Sequence, residues 1–141
     1  MADQTFVAAP AALAVETLAD RANWRRWWPD LQLTVIEDRG DKGFRWTVSG
    51  RMTGTSEVWL EEVMDGFILH YFLHCEPADG PGGVAPGPEA GHAYYSWLAD
   101  ENKRRRVAGK SMSFEVRDRL DRGRDPGEPP VHTRAAAAVA P

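Results

Sequence analysis

The chain has 141 residues, 43% of them hydrophobic and 27% charged, with a formal net charge of −4. That profile fits one globular domain with room for a core, and it gives no global pull toward nucleic acid or an anionic membrane. No apolar run approaches the roughly 20 residues that span a bilayer. Residues 1–4 lack the basic and apolar regions of a signal peptide, and Cys75 has no cysteine partner in the chain, so a reducing cytoplasm is the expected setting.

In chain order, residues 5–8 (Thr-Phe-Val-Ala) read as a short strand. Pro10 suits the first turn of a helix, and Leu13, Thr17 and Leu18 follow at helical spacing. Asp20 is placed to cap a second short helix. Trp24, Trp27 and Trp28 stand at i, i+3 and i+4, so that helix should bear an aromatic face in need of cover, and Pro29 ends it. Four strands are then expected in an antiparallel meander. Leu31, Leu33 and Val35 alternate with polar residues, as do Phe44, Trp46 and Val48. Val58 and Leu60 oppose Glu57, Trp59 and Glu61. Asp65-Gly66 marks a hairpin, after which Phe67, Leu69, Tyr71, Leu73 and Cys75 form the core side of a last strand.

Residues 77–91 hold four prolines and five glycines and read as a surface loop. Residues 93–122 then read as one long helix, weakened at Gly109. Its apolar stripe runs through Leu98, Glu101, Arg105, Ala108, Met112, Val116 and Leu120, joined by Tyr94 and Trp97. The basic run 103–106 is expected on a solvated helix face. A single domain over 1–123 and a disordered tail over 124–141 are the expected organisation.

The sequence suggests no catalytic group, metal or cofactor. His70 and His74 share one face of a strand about 13 Å apart, too far for one ion, and should point outward. Gly109-Lys110-Ser111 lacks the upstream glycine and preceding strand of a phosphate loop. Cys75 has no evident activating neighbour, and no carboxylate stands on an expected core face to act as a raised-pKa acid. What converges instead is aromatic and aliphatic surface, the material of a core or of a small-ligand pocket.

The order strand, two short helices, antiparallel meander, long C-terminal helix resembles the helix-grip fold of the START-like (SRPBCC) superfamily, an α+β class. The stretch Trp28-Pro29-Asp30-Leu31, with residues 43–50 (GFRWTVSG) and 54–61 (GTSEVWLE), resembles actinobacterial members described as polyketide cyclase/dehydrase and lipid transport proteins. The resemblance implies a sheet of about five strands gripping the last helix, with an apolar cavity between them. The full fold has two more strands before that helix. Here residues 77–91 stand in their place, and only residues 93–97 could supply a short one, leaving the cavity open on one side or an edge strand to be completed by a second copy.

The expected function is therefore a binding or carrier protein for a small hydrophobic, lipid- or polyketide-like molecule. The expected ligand-binding residues are Trp24, Trp28, Trp46, Val48, Val58, Leu60, Leu69, Tyr71, Leu73, Trp97 and Met112. The alternatives are a polyketide cyclase or aromatase, which would need a buried base, and a non-catalytic interaction domain with a filled core. A hydrophobic small molecule is the expected partner, with a homodimer as a further option and neither nucleic acid nor stable membrane insertion.

Overall fold

The computed structural model describes residues 1–78 and 91–122. Strand β1 (Ala2–Val7) leads into helices α1 (Ala12–Ala19) and α2 (Arg21–Trp27). Strands β2 (Leu31–Asp38), β3 (Gly43–Gly50), β4 (Met52–Val63) and β5 (Gly66–Pro77) follow, and helix α3 (His92–Asp121) comes last. A short 3-10 turn at Gly40–Lys42 joins β2 to β3. The expected loop at 77–91 and tail at 124–141 fall almost wholly outside the described residues.

The strands form one antiparallel sheet in the order β1-β5-β4-β3-β2. Its inner side alternates as the sequence pattern requires: Phe44, Trp46 and Val48 are buried on β3, Val58 and Leu60 on β4, and Phe67, Leu69, Tyr71 and Leu73 on β5. The helices cover that side, with α3 packed on β1, β5, α1 and α2.

Residues 93–97 lie inside α3, as the reading of one long helix expects, and add no strand. β5 is an inner strand, paired with both β1 and β4. Among the described residues the open edges are β1 and β2, and a register shift between Val35 and Glu37 interrupts the β2 edge, which discourages pairing there.

Local chemistry explains the junctions. Asp20 caps α2 by accepting from the Ala22 N–H at 2.9 Å. The β4–β5 hairpin turns through Met64 and Asp65, with Met64 at a φ of 50°, one residue earlier than the Asp-Gly pair suggests. Gly66 starts β5 instead, because a Cβ there would lie 2.1 Å from the Val7 carbonyl oxygen of β1.

Candidate functional site

The three indoles after Asp20 share a burial but not a destination. Trp24 donates from Nε1 to the Leu18 carbonyl at 2.6 Å and packs edge-on against Trp46 with centroids 5.5 Å apart. Trp27 donates to the Glu115 carboxylate on α3. Trp28 leaves the helix with φ −135° and lies flat against Tyr71, centroids 5.8 Å apart at 11°. Trp46 joins the set, 6.3 Å from Trp28 and 6.0 Å from Phe44.

Of the eleven expected binding residues, nine fall in this one buried cluster: Trp24, Trp28, Trp46, Val58, Leu60, Leu69, Tyr71, Leu73 and Met112. Val48 is buried on the same side of the sheet. Trp97 stands apart, half-buried in the first turns of α3 against Tyr94, with centroids 5.9 Å apart.

The cluster is apolar in bulk but holds a polar knot around the Tyr71 hydroxyl. Ser56, on the inner side of β4 opposite Trp46, donates to the Phe72 carbonyl at 3.1 Å and reaches the Tyr71 hydroxyl. The Trp28 indole approaches that hydroxyl without a well-directed bond, and Arg105 and Cys75 lie within electrostatic range of it. Burial pushes the Tyr71 phenol far above its ordinary value, so it stays neutral. Burial likewise pushes the Cys75 thiol up, which keeps it protonated and unreactive. Two buried N–H groups here have no acceptor among the described residues, Trp46 Nε1 and Arg105 Nε, whereas Trp28 Nε1 faces the Tyr71 hydroxyl.

The inward stripe of α3 carries two charged residues into the interior. Glu101 is 1% exposed and Arg105 is 4% exposed. The expectations of no carboxylate in the core and of a wholly solvated basic run are both corrected. Arg51, from the β3–β4 turn, grips Glu101 through Nε at 3.1 Å and Nη2 at 2.6 Å. Arg104 approaches Glu101 at 3.2 Å, and Arg105 at 3.8 Å. Arg105 in turn holds both Asp30 carboxylate oxygens in a bidentate pair, one of them at 2.9 Å. The bond from Arg105 holds the Asp30 carboxyl below its ordinary value against the opposing effect of burial. Glu101 and Asp30 are therefore both engaged as ion-pair partners. The only signal in the sequence was their place in the α3 stripe, where Glu101 and Arg105 interrupt an otherwise apolar series.

Gly109 seats α3 on this cluster. A Cβ there would stand 2.6 Å from the Tyr71 ring, so glycine is the residue that lets helix and sheet close. Beside it a cleft of about 240 Å³ opens between β1 and α3. Tyr71 and Gly109 form its inner wall, and Asp3, Arg106 and Lys110 stand at its rim. Lys110 bridges to Asp3 at 2.8 Å across the opening.

The outer side of the sheet carries a second aromatic row. His70 lies flat on Trp59, centroids 4.5 Å apart, and continues through Phe72 to His74. The two histidines do point outward, but His70 is 8% exposed because Trp59 covers it. Among the described residues no group of His, Cys, Asp and Glu could hold a metal ion, and no helix is long and apolar enough to cross a membrane.

No protein-family model matches the chain, and no curated protein matches it in sequence. Solved structures do match in fold. An Aha1 dimer from Colwellia psychrerythraea superposes with a TM-score of 0.52 at 13% identity, over 83% of this chain and 95% of that one. The Deinococcus radiodurans protein DR_A0006 superposes with a TM-score of 0.54 at 11% identity, over 84% and 97%. The Zhui aromatase/cyclase of a Streptomyces species gives 0.49 at 17% identity, over 84% and 93%. The first two likenesses show that this chain has the helix-grip fold.

Proposed function

We propose that this helix-grip chain is a binding or carrier protein for a small hydrophobic molecule that bears a hydrogen-bond acceptor, seated between the sheet and α3 against Tyr71. The observation that carries the proposal is the pair of unpaired donors, Trp46 Nε1 and Arg105 Nε, inside an otherwise apolar cluster. Buried N–H groups without acceptors cost about 1–3 kcal/mol each, and most native interiors avoid them. A carbonyl, ether or hydroxyl oxygen on a ligand would relieve that cost. The apolar body of the ligand would contribute about 25 cal/mol for each Å² it buries. The cleft of about 240 Å³ at Tyr71 and Gly109 is the entrance on the described surface; it is smaller than a typical pocket of about 300–1,000 Å³, so a larger ligand requires α3 to shift. Lipid- and polyketide-like molecules share this chemistry. Cyclase activity is not part of the proposal, because Glu101 and Asp30 are already held by arginines.

Native mass spectrometry of the purified protein, followed by organic extraction, tests this directly. A bound oxygen-bearing hydrophobic molecule is expected. Trp46→Phe should weaken such a ligand about tenfold, as expected from loss of one hydrogen bond, while leaving a hydrocarbon analogue of the same shape unaffected. An empty protein whose tryptophan fluorescence no hydrophobic ligand quenches would overturn the proposal.

A further inference from the structure

A different site lies at the opposite edge of the sheet. Between α2 and β2 there is a cleft of about 340 Å³. Trp24, Pro29, Leu31 and Leu33 supply its apolar walls, and Arg21 and Arg25 flank it. Both arginines are exposed. Among the described residues neither side chain has a hydrogen-bond or ion-pair partner, whereas the adjacent Arg26 is held by Asn23 and Glu115. Among the described residues no carboxylate lines the cleft.

That combination is selective. Residues at i and i+4 on a helix are neighbours, so Arg21 and Arg25 repel one another until an anion sits between them. Guanidinium groups present planar donor forks that match carboxylate, phosphate and sulfonate oxygens. The wall beside them is aromatic and aliphatic, which favours a ligand with an apolar body over a bare inorganic ion. Trp24 separates this cleft from the interior, since its indole is anchored to the Leu18 carbonyl and packed on Trp46. We infer that the α2–β2 cleft is a second binding site, for a small soluble amphipathic anion whose acidic group lies between Arg21 and Arg25 and whose apolar part rests on Trp24, Leu31 and Leu33.

This site is independent of the one at Tyr71, and the test keeps the two apart. The probes are 1-anilinonaphthalene-8-sulfonate, which is anionic, and N-phenyl-1-naphthylamine, its neutral counterpart. The anionic probe should bind the cleft and the neutral one should not compete for it. Arg21→Gln combined with Arg25→Gln should raise the Kd for the anionic probe about tenfold or more, and added salt should weaken binding in the parent protein far more than in the variant. Both positions are exposed, so an unchanged circular dichroism spectrum and melting temperature are expected for the variant. Binding of the neutral probe should be the same in both proteins. An anionic-probe Kd unchanged by the double substitution, or full competition between the two probes, would overturn the inference. Arginine-dependent binding to phosphatidylglycerol vesicles without any effect on the anionic probe would also overturn it, by assigning the pair to a membrane surface.

Discussion

The two halves of α3 are held to the same sheet by opposite chemistry. Beyond Gly109, Met112, Val116 and Leu120 are buried against the sheet and α1. Before it, the buried residues are Glu101 and Arg105, tied to Arg51 and Asp30. The apolar half depends on volume and burial, which are non-directional. The ionic half depends on geometry, because a buried charge is tolerated only while its partners stay in place. One helix thus combines a seam that accepts similar shapes with one that accepts few alternatives. The polar knot at Tyr71 sits where the two meet.

The largest effects are expected on the apolar side and its aromatic floor. Trp46 is fully buried and touched by three other aromatic rings, so Trp46→Ala should cost about 3–5 kcal/mol by urea denaturation. Met112→Ala should cost about 2–5 kcal/mol. A loss below about 1 kcal/mol for Trp46→Ala would mean that the indole lines open space and contributes little to the core.

The ionic side should respond differently to single and paired changes. Glu101→Leu leaves Arg105 and Arg51 short of a partner and should cost about 3 kcal/mol, the low end for a broken buried pair because Arg51 and Arg104 are 40% and 57% exposed. Glu101→Leu together with Arg105→Met removes both fully buried charges but leaves Asp30 without its guanidinium, so the double variant should lose less than the sum of the two single losses without returning to the parent. Equal and additive losses in the double variant would show that the two residues act separately and that the ionic half is no cooperative unit.

The contrast also explains what the sequence made legible. The strands on the inner side were readable because Phe44-Trp46-Val48 and Leu69-Tyr71-Leu73 keep a strict alternation, and the apolar half of α3 because Met112, Val116 and Leu120 keep a helical one. The Asp20 cap was readable because capping is local chemistry. Glu101 and Arg105 were legible as members of the inward stripe of α3 but not as a site, since their partners arrive from 50 and 75 residues away in the chain. The pairing of β1 with β5 was hidden for the same reason: register between distant strands leaves no mark in either one. The unpaired indole of Trp46 could not be read from sequence either, because an absent acceptor is a property of the packing.

The seam between the halves can be tested at Gly109. Gly109→Ala gains about 1 kcal/mol in helix propensity but brings a methyl to 2.6 Å from the Tyr71 ring, and such overpacking costs about 1–3 kcal/mol. A net loss of about 1 kcal/mol is expected, together with weaker ligand binding as the ring is displaced. A net gain would show that Tyr71 swings aside freely and is no fixed wall.

The smallest expected effect separates the halves by pH. The bond from Arg105 depresses the Asp30 carboxyl in the ionic half. In the apolar half burial alone would raise the Glu115 carboxyl, but the bonds from Arg26 and Trp27 outweigh it and leave it below its ordinary value. A carboxyl depressed by folding contributes stability above its unfolded value, near pH 4, and that stability is lost as pH falls through the folded value. Melting temperature should therefore drop on acidification below about pH 4, and Asp30→Asn and Glu115→Gln should each flatten part of that drop. Salt distinguishes the two. Arg26 and Glu115 have side chains 50% and 26% exposed, so high salt should erase most of the Glu115 contribution. Arg105 is 4% exposed and Asp30 33% exposed at their side chains, so the buried guanidinium should let more of the Asp30 contribution survive high salt. An acid transition that high salt abolishes entirely would place the Asp30–Arg105 pair in solvent-like surroundings and remove the distinction between the two halves.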